Sequence, residues 1–222
     1  MRVPQQPKLP KKNVRLDCGR YLLRTVKVAD ASDRWAGWMS DPKNLRLVNS
    51  PPRTMSRDDV VAYIKQFDQR SHLLIGIFEK ETGILAGFFR IDIDPGLQRC
   101  LLFMLGDPKY RHWFLMAEIW IPFCDFIFET LGLTTMLATV LASNRALTGF
   151  LLRRGWSLDK TVPRHVRSHA DGTMLDLCFF SFSRDVWRIR KARHLATVAQ
   201  AAPAAEGSGQ YVGGGSPGDQ NR

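Results

Sequence analysis

A chain of 222 residues, 45% hydrophobic and 24% charged, is long enough to bury one substantial core and still carry tails. Its four cysteines, Cys18, Cys100, Cys124 and Cys178, show no C-x-x-C spacing and no secretory leader precedes them, which argues against a zinc site or disulfide framework and fits a reducing, cytoplasmic setting with no metal. The formal charge of +11 is carried mainly by the ends: +5 over residues 1–16 and +4 over 184–194, against +3 over the whole of 17–183 and −1 beyond residue 194. Solvated ends are the simplest reading. Recruitment to a nucleic acid or another acidic partner is the alternative, and it is weakened at the N-terminus, where no aromatic residues interleave the bases.

The leader MRVPQQPKLPKKNV has no apolar period, so residues 1–16 are expected to be extended and mobile. RYLLRTVK, residues 20–27, reads as a strand. DASDRWAGWMSDP, from Asp30, reads as a helix with acidic residues at its positive end. After a proline-containing loop, Ser56 and Asp59 stand at capping-box spacing ahead of Val60, Ile64 and Phe67 on one helical face. HLLIGIFEK, GILAGFFRIDID and QRCLLFMLGD are three apolar runs joined by short polar turns, the pattern of an antiparallel meander.

GDPKYRHWFLMAE then turns the chain into a long helix, Trp113 to Leu131, ended by Gly132. That stretch is too short and too interrupted by Glu118, Pro122 and Asp125 to span a membrane. Pro122 should kink it or force a local bulge. Its apolar residues run nearly all round, which requires burial on more than one face, whether by a thick core, an acyl pocket or a homodimer interface. TTMLATVLA reads as a strand, NRALTGFLLRR as a helix ended by Gly155, and WSLDKTVPRHVR and MLDLCFFSFS as two closing strands. The predicted order is βααβββαβαββ, a single α/β (α+β) domain over residues 17–183 with a mixed, mostly antiparallel sheet flanked by helices. A basic helix over 184–195 and a disordered Gly/Ala/Ser/Pro-rich tail over 196–222 complete the chain.

Two stretches carry a family likeness. LLFMLGDPKYRHWFLMAE gives an apolar strand, a turn and a helix bearing a glutamate; SNRALTGFLLRRGW gives an asparagine-initiated helix ending in a basic residue, glycine and an aromatic, with Asn144, Leu151, Arg153, Gly155 and Trp156 at matching spacings. On these the chain resembles, over residues 20–183, the GNAT superfamily of acyl-CoA-dependent N-acyltransferases, in particular its ribosomal-protein N-terminal acetyltransferase branch. The resemblance implies acetyl-CoA as co-substrate, a peptide or small-molecule amine as acceptor, and direct attack in a ternary complex. It also implies that the strand edge Phe103, Met104 and Leu105 meets the pantetheine arm in a splay between two strands. The pyrophosphate would lie on the helix N-terminus formed by Arg111, His112, Trp113, Phe114, Leu115 and Met116, with Asn144 nearby. The free N–H groups and dipole of a helix start suit that anion.

His112, Phe114 and Met116 stand where the family has glycine, glycine, and glycine or alanine. Either Arg111 and His112 supply charge to a shifted pyrophosphate, or these side chains have turned inward and the protein is a non-catalytic binding or regulatory relative. Leu151 replaces the tyrosine that many members use as acid for the thiol. No strand-end glutamate offers itself as base. Asp92 and Asp94, on one face of RIDID, are candidates, although a hairpin end also explains them. Ser143 and Asn144 could orient the thiol or a substrate carbonyl, or simply cap a helix. Glu118 reads as structural, and His165 and His169 as ordinary loop histidines.

Overall fold

The computed structural model describes residues 9–110 and 112–201, giving the backbone alone for 112–115 and 198–201. Its first strand, β1 (Arg15–Cys18), pairs antiparallel with β2 (Tyr21–Thr25). The end of the segment expected as a mobile leader is therefore in the sheet. Val14 and Cys18 are buried and Leu16 packs against them, so a period-two apolar pattern runs through the basic segment. The turn between the strands places Gly19 at φ +63, and Glu118 reaches across to accept from the Arg20 amide at 2.9 Å and to pair with the Arg20 guanidinium. Glu118 thus has the structural role expected of it.

Three helices follow. α1 (Asp33–Met39) starts at Ser32, whose hydroxyl accepts from the Trp35 amide. α2 (Pro42–Leu47) is absent from the predicted order: Pro42 is its first residue, where a missing N–H costs nothing, and the Asp41 carboxylate accepts from the amides of Lys43 and Asn44. α3 (Arg57–Lys65) opens with the expected Ser56/Asp59 capping box. The meander β3 (His72–Glu79), β4 (Leu85–Asp94) and β5 (Arg99–Gly106) leads through a turn into α4 (His112–Asp125). Then come β6 (Thr135–Leu141), α5 (Arg145–Arg153), β7 (Ser157–Arg167), β8 (Met174–Ser183) and α6 (Arg184–Ala201). α6 runs past residue 195 into the stretch expected as disordered tail, and residues 202–222, like 1–8, lie outside the described residues.

The eight strands form one sheet in the order β1-β2-β3-β4-β5-β6-β8-β7, antiparallel throughout except at β5–β6. Alternating strand residues divide the core between its faces. Leu74, Phe78, Phe88 and Leu105 meet Trp35, Trp38, Val60 and Ile64 of α1 and α3. Phe89, Ile91, Met136 and Phe180 meet α4, α5 and Trp187 of α6 on the other face.

α4 passes Pro122 and continues to Asp125, then widens into a π turn, Phe126–Thr130. Ile119, Trp120, Phe123, Cys124, Ile127 and Phe128 are all buried within this one chain. The sheet covers one side of the helix, and α6 covers another through Trp187, whose indole N–H donates to Asp125 at 3.2 Å while Lys191 Nζ pairs with the same carboxylate at 2.6 Å. The all-round apolar character is satisfied by this core, so it gives no support to the homodimer expectation. Among the described residues no helix is long and apolar enough to cross a membrane.

Candidate active site at the splayed strands

β5 and β6 are bonded only at Arg99↔Thr135, Cys100↔Met136 and Leu101↔Leu137. Beyond these β5 runs on to Gly106 and β6 to Leu141, each paired only on its outer side: Gly106 with Gly87 of β4, and Leu141 with Leu177 of β8. The sheet therefore opens into a V about 17 Å deep along β5, at roughly 3.3 Å per residue. Phe103, Met104 and Leu105 lie on the β5 side of it, with Phe103 packing toward α1 and α3 and Met104 toward α4.

The wall ends in a fixed turn. The Asp107 amide donates to the Ala86 carbonyl at 2.9 Å, and the buried Asp107 carboxylate accepts from the Lys109 amide at 2.9 Å and from Arg34 Nε and Nη2 at 2.8 Å each. Tyr110 Oη donates to Glu79, 3.2 Å away. Burial, followed by the neighbouring Glu79 charge, pushes the Tyr110 phenol above its ordinary range. From the α2 side, the buried Asn44 amide donates to the carbonyls of Trp38 at 2.9 Å and Gly106 at 3.1 Å. GDPKY is thus a braced turn that delivers the α4 N-terminus to the mouth of the V.

Of the residues expected to hold pyrophosphate, Arg111 lies outside the described residues, as do the side chains of His112, Trp113, Phe114 and Leu115. Their backbone forms the first turn of α4, where N–H groups have no partner within the helix. Met116 is buried in the core between α4 and the sheet, so this substitution of a small residue adds to packing there. An open strand edge leading to a helix start suits an extended amide arm ending in a pyrophosphate, and the site therefore fits acetyl-CoA.

Across the open end of the V lies a cavity of about 920 Å³, walled by the α1–α2 turn and the α2–α3 loop on one side, the β7–β8 hairpin on the other, and Leu141 and Ser143 at its base. Asn49 clasps the two walls: its Nδ2 donates to the Arg167 carbonyl at 3.0 Å and its Oδ1 accepts from the His169 amide at 3.1 Å. Asn49 holds φ +49, a left-handed conformation that asparagine adopts more readily than most residues. His165 stands edge-on to Phe179, with ring centroids 5.8 Å apart.

The candidate catalytic residues separate into two groups. Ser143 lines the cavity. Asn144 caps α5, its Oδ1 accepting from the Leu147 amide at 3.2 Å. Asp92 and Asp94 sit at the closed end of the V, opposite Leu101 and Arg99. Asp92 is engaged by His72 Nδ1 at 2.9 Å and Arg90 Nη2 at 2.7 Å, and Asp94 accepts from the Leu97 amide at 3.1 Å. Both are committed to the hairpin end, and neither lines the cavity. Sequence reasoning missed Arg46, Asn49, Arg53 and Asp171 in the cavity wall. The long loop VNSPPRT was the available signal.

The family model for the acetyltransferase (GNAT) domain matches residues 20–157. The chain belongs to the GNAT acetyltransferase family. Solved GNAT structures share the fold at low identity. A GCN5-related N-acetyltransferase from Brucella melitensis superposes with a TM-score of 0.69 at 17% identity, over 90% of this chain and 91% of that one. Ribosomal-protein-S5-alanine acetyltransferase from Vibrio fischeri gives 0.66 at 15%, over 79% and 99%. Spermidine N-acetyltransferase from Vibrio cholerae, solved with CoA and spermine, gives 0.66 at 12%, over 76% and 98%. No curated protein matches the sequence. For this GNAT protein, acetyl-CoA-dependent acetyl transfer is the activity class, and the V between β5 and β6 is the place in the fold where that chemistry fits.

Proposed function

We propose that this acetyltransferase transfers acetyl from acetyl-CoA directly to the primary amine of a peptide or small molecule, with an α-amine as the preferred acceptor. The observation that carries the proposal is the V opening into a separate walled cavity, an arrangement that lets donor and acceptor be held together. Phe103, Met104 and Leu105 would line the pantetheine arm, and the α4 amides from His112 to Met116 would hold the pyrophosphate. The bound co-substrate supplies an activated thioester carbonyl. As the acceptor nitrogen bonds to the acetyl carbon, the C–S bond breaks and the proton lost by the amine ends on the departing thiol.

Residues of this chain favour the direct route. All four thiols are buried, and burial pushes Cys18 up to about 11 and Cys100 up to about 12, so neither is poised as an acyl carrier. Among the described residues Asp171 is the only carboxylate in the cavity wall, and it is held below the usual carboxylate range by the Ser168 hydroxyl and then by Thr173, which makes it a weak base. An acceptor that needs little deprotonation suits such a site. At pH 7.5 an α-amine is about a quarter neutral, whereas a lysine side chain is about 0.1% neutral. Ser143 would orient the acceptor from the base of the cavity, and Asn144 would fix the start of α5 beside it.

Calorimetric titration with acetyl-CoA tests the reading, alongside a His112→Gly, Phe114→Gly double variant. Saturable binding by the unmodified protein, followed by transfer to α-amine acceptors, is expected. Binding gained only in the double variant would mean that the α4 start of the natural protein does not take CoA and would overturn the reading.

A further inference from the structure

The acceptor cavity carries an unbalanced charge. Arg46, in the last turn of α2, and Arg53, in the loop before α3, both line it, and neither guanidinium has a carboxylate partner among the described residues. Among the described residues Asp171 is the one acidic residue of the wall, and the hairpin tip already occupies it: its Oδ1 accepts from the Thr173 amide at 3.1 Å and the Thr173 hydroxyl at 2.8 Å. Two further arginines lie on the same hairpin, outside the cavity lining. The Arg167 guanidinium donates to the Gly172 carbonyl at 3.3 Å, and Arg164 has no ion pair among the described residues. The cavity is therefore net cationic, with two guanidinium groups left to pair with whatever enters. Elsewhere on the chain Arg24 is matched with Asp30, Arg34 with Asp107 and Arg90 with Asp92, while Arg57 and Arg70 donate to the carbonyls of Ala31 and Leu9.

We infer that the acceptor of this enzyme bears a carboxylate close to its reactive amine, as in an amino acid or a short peptide with an acidic N-terminal region, and that Arg46 and Arg53 select it. The inference rests on the acetyltransferase reading above and specifies its substrate class. Guanidinium groups pair with carboxylates in a planar, two-pronged geometry, and an unpaired one at a cavity wall favours an anion while repelling a polycation. A polyamine would bring two or more ammonium groups into a cavity that already carries excess positive charge. The same field disfavours the ammonium form of the acceptor and so increases the neutral fraction of its amine. The chemistry of transfer is unchanged: the C–N bond forms, the C–S bond breaks, and the thiol leaves with the amine's proton. At about 920 Å³ the cavity is at the upper end of the range for small-ligand sites and has room for a few residues of peptide.

The test compares kcat/KM for aspartyl-alanine amide, alanyl-alanine amide, lysyl-alanine amide, free alanine and spermidine, in the natural protein and in Arg46→Gln, Arg53→Gln and Arg53→Glu. Binding of aspartyl-alanine amide is measured separately by calorimetry. The natural protein should prefer the aspartyl peptide or free alanine to the alanyl amide by about tenfold, and the choice between those two separates a side-chain carboxylate from an α-carboxylate. Each Gln variant should lose about five- to tenfold on the anionic acceptor with little change for the alanyl amide, and Arg53→Glu should shift preference toward the lysyl peptide. Both arginines are exposed, so an unchanged melting temperature is expected and keeps the comparison clean. Equal rates for all acceptors, or an acidic preference untouched by the variants, would overturn the inference and leave acetyl transfer standing. Arginine-dependent binding of the aspartyl peptide without transfer to any amine would support the anion site while overturning the acetyltransferase reading. No such binding and no transfer would sink both.

Discussion

Asp107→Ala is the most direct test of how the turn before α4 is built. The Asp107 side chain is 4% exposed and its partner Arg34 is 41% exposed, so the ion pair is half in solvent and its Coulombic share must be discounted to about 0.5–1 kcal/mol. The Lys109 amide bond to the same buried carboxylate, at 2.9 Å, is charge-assisted and adds about 1.5–2 kcal/mol. Arg34 can turn to water when Asp107 is lost, so no stranded buried charge enlarges the effect. The expected loss is about 2–3 kcal/mol, read as a lower urea midpoint at constant slope, with a coupling of about 0.5–1 kcal/mol in a double-mutant cycle with Arg34→Ala. Acetyl-CoA affinity should fall by about tenfold, because the turn sets where α4 begins. A stability loss under 1 kcal/mol, or full loss with unchanged acetyl-CoA affinity, would show that this brace does not position the helix start.

Gly19→Ala places a Cβ 2.9 Å from Glu118 Oε2 at a φ of +63, so it should cost about 1–2 kcal/mol, and Glu118→Ala should relieve the contact part of that cost; strictly additive melting shifts would refute the contact. Asp30 is pulled up by burial, but the Arg24 guanidinium and the Lys27 amide outweigh this and hold it below its ordinary 3.8. Its stabilisation is therefore complete above pH 3.8 and is lost as pH falls through the lower folded value. The urea-midpoint gap between natural protein and Arg24→Gln should narrow below pH 3.8, and a gap independent of pH would refute the pairing. Met116→Gly, which restores a small residue typical of the family, should lose about 3 kcal/mol or more through an emptied core site and a helical glycine, without tighter acetyl-CoA binding; a gain in affinity would refute the packing role of Met116.

Much of this fold is legible in the sequence because its long elements carry their own period. The three meander strands, the capping box at Ser56 and Asp59, and the helix stops at Gly132 and Gly155 are all local signals, and the last two hold φ of +69 and +89. β1 was masked because its alternation, Val14, Leu16 and Cys18, runs through a segment whose charge and prolines read as a solvated leader. α2 was masked because Pro42 reads as a breaker when it is the first helical residue. The site divides in the same way. Asn144 as a cap and the strand–turn–helix order could be read locally, whereas the cavity wall is drawn from residues 40–54 and 141–175, which no spacing in the sequence brings together.

The V itself is best understood as two strands held apart by commitments elsewhere. β5 stays bonded to β4 as far as Gly106, where Gly87 approaches so closely that a Cβ there would meet the Leu105 carbonyl at 3.0 Å, and Asn44 holds the same end toward α2. β6 stays bonded to β8 as far as Leu141, and the chain beyond remains tied by the Ala142 amide to the Asp176 carbonyl at 3.0 Å. Closing the gap would require breaking one of these outer ladders to gain an inner one of similar length. An open strand edge inside a domain leaves peptide groups without a protein partner, which carries a penalty unless water or a ligand pairs with them. The edge from Leu102 to Gly106 is thus a template for an extended chain of amides, and the braced turn at Asp107 aligns the free N–H groups of α4 with the end of that template. In the proposed binding mode the donor would be held by backbone fixed from outside, and the His112→Gly, Phe114→Gly comparison tests whether the site takes CoA without the family's loop glycines.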